Sequence, residues 1–185
     1  NTSMMILKPM SAIIGAGGIG FDIAEYLSKK GKSSTLDLKK WLDEWGIVDP
    51  EFERGGLSLD IGHEQSSDRE IFLLQRKNER MGKRLGKTTG WIHRKSLKRK
   101  GVQMLAGVTY EKVVSEGLIV SFGNEKKDLK TLKVDTIIIC AGQEPEKKLA
   151  ESLVASKLDF QIIGGAENAR ELDAKRAIDQ GCRLA

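Results

Sequence analysis

Two hydrophobic periods alternate along the chain. Ala12-Ile13-Ile14 is an apolar run of strand length, and Ile19, Ile23 and Leu27 then recur at helical spacing. Gly31, after Lys29-Lys30, offers a helix stop. Ser34-Thr35-Leu36-Asp37 has the form of a capping box ahead of Leu38, Trp41, Leu42 and Trp45, which repeat on one helical face. An aromatic stripe at that spacing reads as core. Residues 48–69, with Asp49-Pro50, Gly55-Gly56 and Ser66-Ser67, read as a long surface excursion.

Ile71-Phe72-Leu73-Leu74 predicts a second parallel strand, 91–100 a helix closed by Gly101, and 102–105 a third strand. The pattern then changes. Residues 108–114, 117–122 and 129–134 are short segments separated by Glu116-Gly117 and Gly123-Asn124, which predicts an antiparallel meander. Thr136-Ile137-Ile138-Ile139-Cys140 returns to a continuous apolar run suited to the middle of a parallel sheet. Beyond Pro145 follow a helix over 146–153, a buried strand over 160–163 and a helical end over 171–185.

Between the first strand and the first helix stand Gly15-Ala16-Gly17-Gly18-Ile19-Gly20. Strand, glycine-rich turn and helix in that order form the grip that dinucleotide-binding folds place on a diphosphate. Gly15 permits the tight turn, Gly17 lets the backbone approach the anion, and Gly20 lets the helix pack on the strand. The helix start adds free N–H groups and partial positive charge. The alternative is a turn whose small residues serve packing alone. The fold class expected is α/β: a Rossmann-like parallel sheet with helices on both faces and an inserted three-stranded antiparallel β-meander.

Folds of this kind that bind NAD carry an acidic residue about 20 positions past the motif. Counting points to Asp43 or Glu44, but both lie between Trp41 and Trp45 in a helical segment. If the second strand is residues 71–74, its tip is Gln75-Arg76-Lys77. Two cations there suit the 2′-phosphate of NADP, and the bland reading is a solvated charge pair.

Composition narrows the choice little. The chain has 185 residues, 39% hydrophobic and 31% charged, as in an ordinary globular protein, and its net charge of +5 is compatible with an anionic ligand such as a phosphorylated cofactor and also with nucleic acid. No apolar stretch is long enough to cross a bilayer, no signal-peptide pattern opens the chain, and Asn1-Thr2-Ser3-Met4-Met5 has no periodicity. Cys140 and Cys182 are far apart, so neither a redox pair nor a metal site is indicated; Cys140 reads as a buried thiol in a reduced, cytoplasmic setting. The basic cluster Arg94-Lys95 and Lys98-Arg99-Lys100 lacks the interleaved aromatics that nucleic-acid binding wants. His93, near the start of the same helix, reads as a capping or packing residue.

With these segments placed, the chain resembles the bacterial NADPH-dependent 2,4-dienoyl-CoA reductases, iron–sulfur flavoenzymes of fatty-acid β-oxidation. The resemblance rests on Gly15 to Ala24, Leu74-Gln75-Arg76-Lys77, Leu85-Gly86-Lys87-Thr88-Thr89-Gly90-Trp91-Ile92-His93-Arg94 and Ile139-Cys140-Ala141-Gly142-Gln143-Glu144-Pro145. It continues in Ile163-Gly164-Gly165-Ala166 and in the stretch from Glu171 to Ile178. It runs from about Met10 to the end, and the Thr-Thr-Gly-Trp-Ile-His-Arg stretch is far more distinctive than the glycines.

The resemblance implies a much longer protein, with an FMN-bearing barrel, an iron–sulfur cluster, an FAD domain and an NADPH domain inserted in it. This chain would supply the NADPH-binding domain (8–143) and the returning C-terminal segment of the FAD domain (144–185). Gly15, Ala16, Gly17, Gly18, Ile19 and Gly20 would grip the NADPH diphosphate, and Gln75, Arg76 and Lys77 would form the 2′-phosphate end. Ala141, Gly142 and Gln143 would line the dinucleotide crevice. Gly164, Gly165 and Ala166 would face the FAD diphosphate in an intact protein. The acid/base residues of dienoyl reduction belong to the barrel, so the chain alone is expected to be inactive toward dienoyl-CoA and to retain little FAD. Its partners would be NADPH and the FAD- and FMN-bearing parts, with neither nucleic acid nor membrane. The competing reading is a structural ADP site, as in amine dehydrogenases similar to trimethylamine dehydrogenase. A methyltransferase with a glycine-rich loop is disfavoured by the meander.

Overall fold

The computed structural model describes residues 9–58, 67–123, 128–170 and 174–185. It divides into two compact units, Asn1–Ala141 and Gly142–Ala185. The opening residues 1–5, part of the excursion (59–66), Asn124 of the second turn and residues 171–173 lie outside the described residues.

In the first unit, strands β1 (Met10–Ile14), β2 (Glu70–Gln75), β3 (Gln103–Ala106) and β7 (Thr136–Ile139) form a parallel sheet in the order β3-β2-β1-β7. Ile14 stands opposite Leu74 on one side and Ile139 on the other. Strands β4 (Val108–Val114), β5 (Gly117–Phe122) and β6 (Asp128–Lys133) make a separate antiparallel sheet. The expected α/β class, a Rossmann-like parallel sheet with helices and a separate three-stranded antiparallel meander, is the one observed.

The near-continuous apolar runs of β1 and β2 follow from burial on both faces. Ala12, Phe72 and Leu74 pack with Val108, Leu118, Val120, Leu132 and Val134 of the meander and its end. Their neighbours Ile13, Ile71 and Leu73 point the other way, to Phe21 and Ala24 of α1 (Gly18–Ser28) and Leu97 of α3 (Gly90–Arg99). A strand's two-residue alternation thus sorts its side chains into two cores. Each fully buried leucine or phenylalanine contributes about 1.5–3 kcal/mol. The buried side of α1 is Gly20, Phe21, Ala24 and Ser28, while Ile19 is exposed and Ile23 and Leu27 are only partly covered. Helix α3 ends as expected, with Gly101 at a φ of 77°.

Several expectations need correction. The cap of α2 (Leu38–Trp45) is Asp37, whose carboxylate accepts the Lys40 N–H at 3.3 Å; Ser34 instead begins a single 3₁₀ turn and bonds to Glu44. Trp41 and Trp45 are half-buried rather than core. With Ile47, Leu57, Trp91 and Ile92 they line an open apolar cleft of about 350 Å³. Strand β7 lies at an edge of the sheet, not its middle, because no described strand pairs with its far side, and Ile139 is 74% exposed. Cys140 is correspondingly only partly buried.

The second unit contains α4 (Lys148–Ala155), a 3₁₀ turn (Gly164–Ala166) and α5 (Ala174–Leu184). Residues 160–163, expected as a strand, pair with no other strand. A short, mostly apolar segment forms a strand only where a ladder partner exists, and this unit offers none among its described residues. The turn after it is held to α5 instead: the Gly164 N–H donates to Gln180 Oε1 at 2.8 Å.

Candidate functional site

Hydrogen bonds across the sheet fix the glycine turn. The Gly15 N–H donates to the Leu74 carbonyl at 3.0 Å, and the Cys140 N–H donates to the Ile14 carbonyl at 2.7 Å. These bonds hold the turn between the ends of β2 and β7. Gly15 has a φ of 110°, and a Cβ there would stand 2.6 Å from the Cys140 carbonyl oxygen. A Cβ on Gly20 would collide with the Gly15 carbonyl oxygen. Two glycines are therefore required by the fold itself.

Gly17 and Gly18 differ. Both are exposed, and a Cβ on either would meet nothing within 4 Å. Gly17 caps α1 with no side-chain hydrogen bond, and the first turn carries no acidic residue. The first N–H groups of an α-helix have no partner inside it. The start of α1 is thus an uncapped, unobstructed cradle of donors with partial positive charge, suited to a diphosphate. Ala16 is half-buried and Ile19 exposed on the same turn.

Beside it, β2 leads directly into Gln75, Arg76 and Lys77. Register places Gln75 next to the glycine turn, since Ile14 pairs with Leu74. Arg76 and Lys77 are exposed. The Gln75 carboxamide lies within its own loop, Nε2 donating to the Lys77 carbonyl at 2.8 Å and to the Glu79 carbonyl at 3.0 Å. The Gly107 N–H donates to the same Lys77 carbonyl at 3.3 Å. Glu79 pairs with Lys83 at 2.9 Å. The hydrogen bond from Lys83 holds the Glu79 carboxyl below the usual carboxylate range, and the charges of Lys83, Lys77 and Arg84 add to the effect. Burial raises the pKa of the half-buried Tyr110 phenol, and the charge of Arg76 opposes the rise.

The loop continues onto α1. Gly82, at a φ of 65°, sits so close that a Cβ would lie 2.8 Å from the Phe21 ring, and its carbonyl accepts Arg94 Nη1 at 3.1 Å. Desolvation first, and then the charge of Arg80, lowers the pKa of Arg94. His93 Nδ1 lies 2.7 Å from Glu25 Oε1, joining α3 to α1. The sequence suggested a capping or packing role for His93; its carboxylate partner, 68 residues away, was not legible there.

The structure therefore brings Gly15–Gly20, Gln75, Arg76, Lys77 and Ala141 together in the first unit, the Ala141 backbone N lying 3.0 Å from where a Gly15 Cβ would be. Gly142 and Gln143 open the second unit, both exposed, with Gly142 at a φ of 85°. Gly164, Gly165 and Ala166 form the short turn of that unit, its first amide already bonded to Gln180. Sequence reasoning missed the loop's internal hydrogen bonds and the Glu79–Lys83 pair, for which residue type alone gives no signal. Among the described residues no His, Cys, Asp and Glu cluster could hold a metal ion, and no helix is long and apolar enough to cross a membrane.

Comparison with known proteins bears on the fold and the family. The metal reductase of Desulforamulus reducens is 24% identical over 160 residues, covering 86% of this chain and 22% of that protein. Among solved structures, 2-naphthoyl-CoA reductase in complex with 2-naphthoyl-CoA aligns with a TM-score of 0.60 at 17% identity, over 96% of this chain and 21% of that one. Histamine dehydrogenase from Rhizobium sp. 4-9 aligns with a TM-score of 0.61 at 13% identity, over 95% and 22%. The chain thus spans about a fifth of the length of these relatives. The model of the pyridine nucleotide-disulphide oxidoreductases matches residues 5–165, and the chain belongs to that family.

Proposed function

We propose that the chain is the NADPH-binding, electron-input part of a larger flavoenzyme of the 2,4-dienoyl-CoA reductase kind. Residues 8–143 form its nucleotide domain and 144–185 the returning segment of an FAD domain. The observation that carries this reading is the pairing of an open, uncapped helix start at Gly17 and Gly18 with Arg76 at the tip of the adjacent strand. The first suits a diphosphate, and the second a phosphate one ribose away.

The residues present fit NADPH. Gly15 to Gly20 would hold its diphosphate and Arg76 and Lys77 its 2′-phosphate, with Ala141 beside the glycine turn. When bound, the nicotinamide supplies a hydride for a flavin carried elsewhere in the protein. This chain's own work is binding and orientation. No dienoyl-reducing acid or base belongs to these residues.

Exposed apolar side chains support a missing partner for 144–185. Neither α4 nor α5 buries any described residue, and Leu149, Val154 and Ile178 are each more than 60% exposed. In the full protein Gly164, Gly165 and Ala166 would face FAD. In this chain FAD is not expected to be retained.

Separate calorimetric titrations with NADPH, NADH and ADP test the reading. The expected order is NADPH tightest by about tenfold or more over NADH, since two phosphate-directed cations contribute at least 1.4 kcal/mol. Equal affinities, or a preference for ADP, favour a structural nucleotide site and remove the NADPH assignment. A flavin spectrum of the purified chain tests the second claim, and a stoichiometric yellow colour refutes it.

A further inference from the structure

The loop that carries Arg76 and Lys77 is folded by a side chain that precedes them. Gln75 ends β2, and its Nε2 reaches the carbonyls of both Lys77 and Glu79, at 2.8 and 3.0 Å. A carboxamide nitrogen has two protons, and both are engaged here. The Lys77 carbonyl also receives the Gly107 N–H at the turn between β3 and β4. Gly107 itself has a φ of 71°, and its missing Cβ leaves the Asn78 side chain 3.4 Å from that position. The carbonyls at 77 and 79 are thereby both tied to the Gln75 side chain, and the backbone between them is held before any ligand arrives. Arg76, by contrast, makes no hydrogen bond or ion pair of its own among the described residues. Its backbone is held while its guanidinium is left available.

We propose that Gln75 is a positioning residue for the 2′-phosphate subsite: its carboxamide clamps the loop so that Arg76 is displayed toward the phosphate, and nicotinamide-cofactor discrimination depends on it. The inference rests on the NADPH reading above and adds a residue that acts through Arg76 rather than by touching the phosphate. The physical basis is preorganisation. A loop folded in advance loses less conformational freedom on binding, so its affinity is greater with no added contact to the ligand. Methionine matches glutamine in length and has no N–H to donate. Asparagine keeps the amide on a stem one carbon shorter, too short to reach both carbonyls. Glutamate presents only oxygen to those carbonyls and adds negative charge beside the phosphate, so it confounds two effects.

The test is calorimetry of NADPH, NADH and 5′-ADP binding to the wild-type chain, Gln75→Met, Gln75→Asn, Arg76→Ala and the double variant Gln75→Met/Arg76→Ala. Circular dichroism confirms that each is folded. The expected result is a loss of about tenfold in NADPH affinity for either Gln75 variant, the size of two lost intraloop hydrogen bonds. NADH and 5′-ADP affinities stay within about twofold, because the diphosphate cradle is untouched. On the Arg76→Ala background, Gln75→Met has little further effect, the non-additivity of residues acting as one unit. A merely structural role would weaken all three ligands together, and that outcome overturns the proposal. So does an unchanged NADPH-to-NADH ratio in both Gln75 variants while the wild type prefers NADPH, which leaves the NADPH reading intact. A wild type without NADPH preference removes the reading and this inference together. Should Gln75→Met not fold, Gln75→Asn carries the same comparison.

Discussion

Gly17→Ala and Gly20→Ala separate what the glycine turn does for the fold from what it does for a ligand. At Gly17 the backbone is extended, with φ −82° and ψ −172°, and an added methyl meets nothing within 4 Å. Alanine caps a helix less well than glycine, by about 0.5–1 kcal/mol, while replacing glycine removes unfolded-state freedom worth about 0.4–1 kcal/mol. The two nearly cancel, so Gly17→Ala should melt within about 3 °C of the wild type. The same methyl fills the space through which a diphosphate reaches the N–H groups of α1. Dinucleotide affinity should then fall at least tenfold, about 1.4 kcal/mol or more. At Gly20 the methyl collides with the Gly15 carbonyl, part of the backbone that ties the turn to β2. Neither the helix nor the turn can yield without breaking that tie. A cost of about 3 kcal/mol is expected, a loss of roughly 6–12 °C in melting temperature. Differential scanning calorimetry and isothermal titration on the same preparations measure both quantities. If Gly17→Ala binds NADPH as the wild type does, or Gly20→Ala is as stable as the wild type, the assignment of separate roles is wrong.

Arg76→Ala and Lys77→Ala together should lower NADPH affinity by about 10- to 100-fold and leave NADH within twofold, read by calorimetry; equal losses would count against a 2′-phosphate role. Asp135 accepts the Met10 N–H at 2.8 Å and the Thr136 hydroxyl at 2.6 Å, tying β1 to the start of β7. Chiefly through the Thr136 bond, its carboxyl is held below the ordinary value of 3.8. A lowered carboxyl pKa contributes stability that is present above pH 3.8 and lost as pH falls through the folded-state value. Asp135→Asn should therefore flatten the acid limb of a melting-temperature profile, and an unchanged limb would contradict the link. Burial raises the Cys140 thiol pKa, so at neutral pH it stays protonated, while Cys182 is exposed. Iodoacetamide followed by mass spectrometry should label Cys182 first, and preferential labelling of Cys140 would contradict this ordering.

The parallel sheet was readable in the sequence because a strand covered on both faces has to be apolar throughout, as 71–74 are, and the meander because its short runs are punctuated by glycines at positive φ. Gly117 and Gly123 both adopt such angles. The glycine turn was readable for the same reason, since the collisions at Gly15 and Gly20 leave no other residue type. Where a pattern's meaning depended on a distant partner, it misled. Residues 160–163 have a strand's composition and no strand to pair with, and the run at 136–140 has the composition of a central strand yet lies at an edge. Asp37 capped the helix that Ser34 was expected to cap, because a 3₁₀ turn takes up the residues between them. The cations at 76 and 77 could be found by their position at a strand tip. The hydrogen bonds that hold them there could not, since a glutamine on a strand end more often faces water.

Phosphorus NMR of NADPH titrated with the chain tests the central claim most directly, because the 2′-phosphate monoester and the diphosphate give separate resonances. With Arg76 and Lys77 beside it, the bound 2′-phosphate should shift and titrate at lower pH than in free NADPH, whose second ionisation falls near pH 6 as for other phosphate monoesters, and the diphosphate resonances should broaden at the start of α1. A diphosphate signal that responds while the 2′-phosphate titrates as it does in free solution would contradict the assignment.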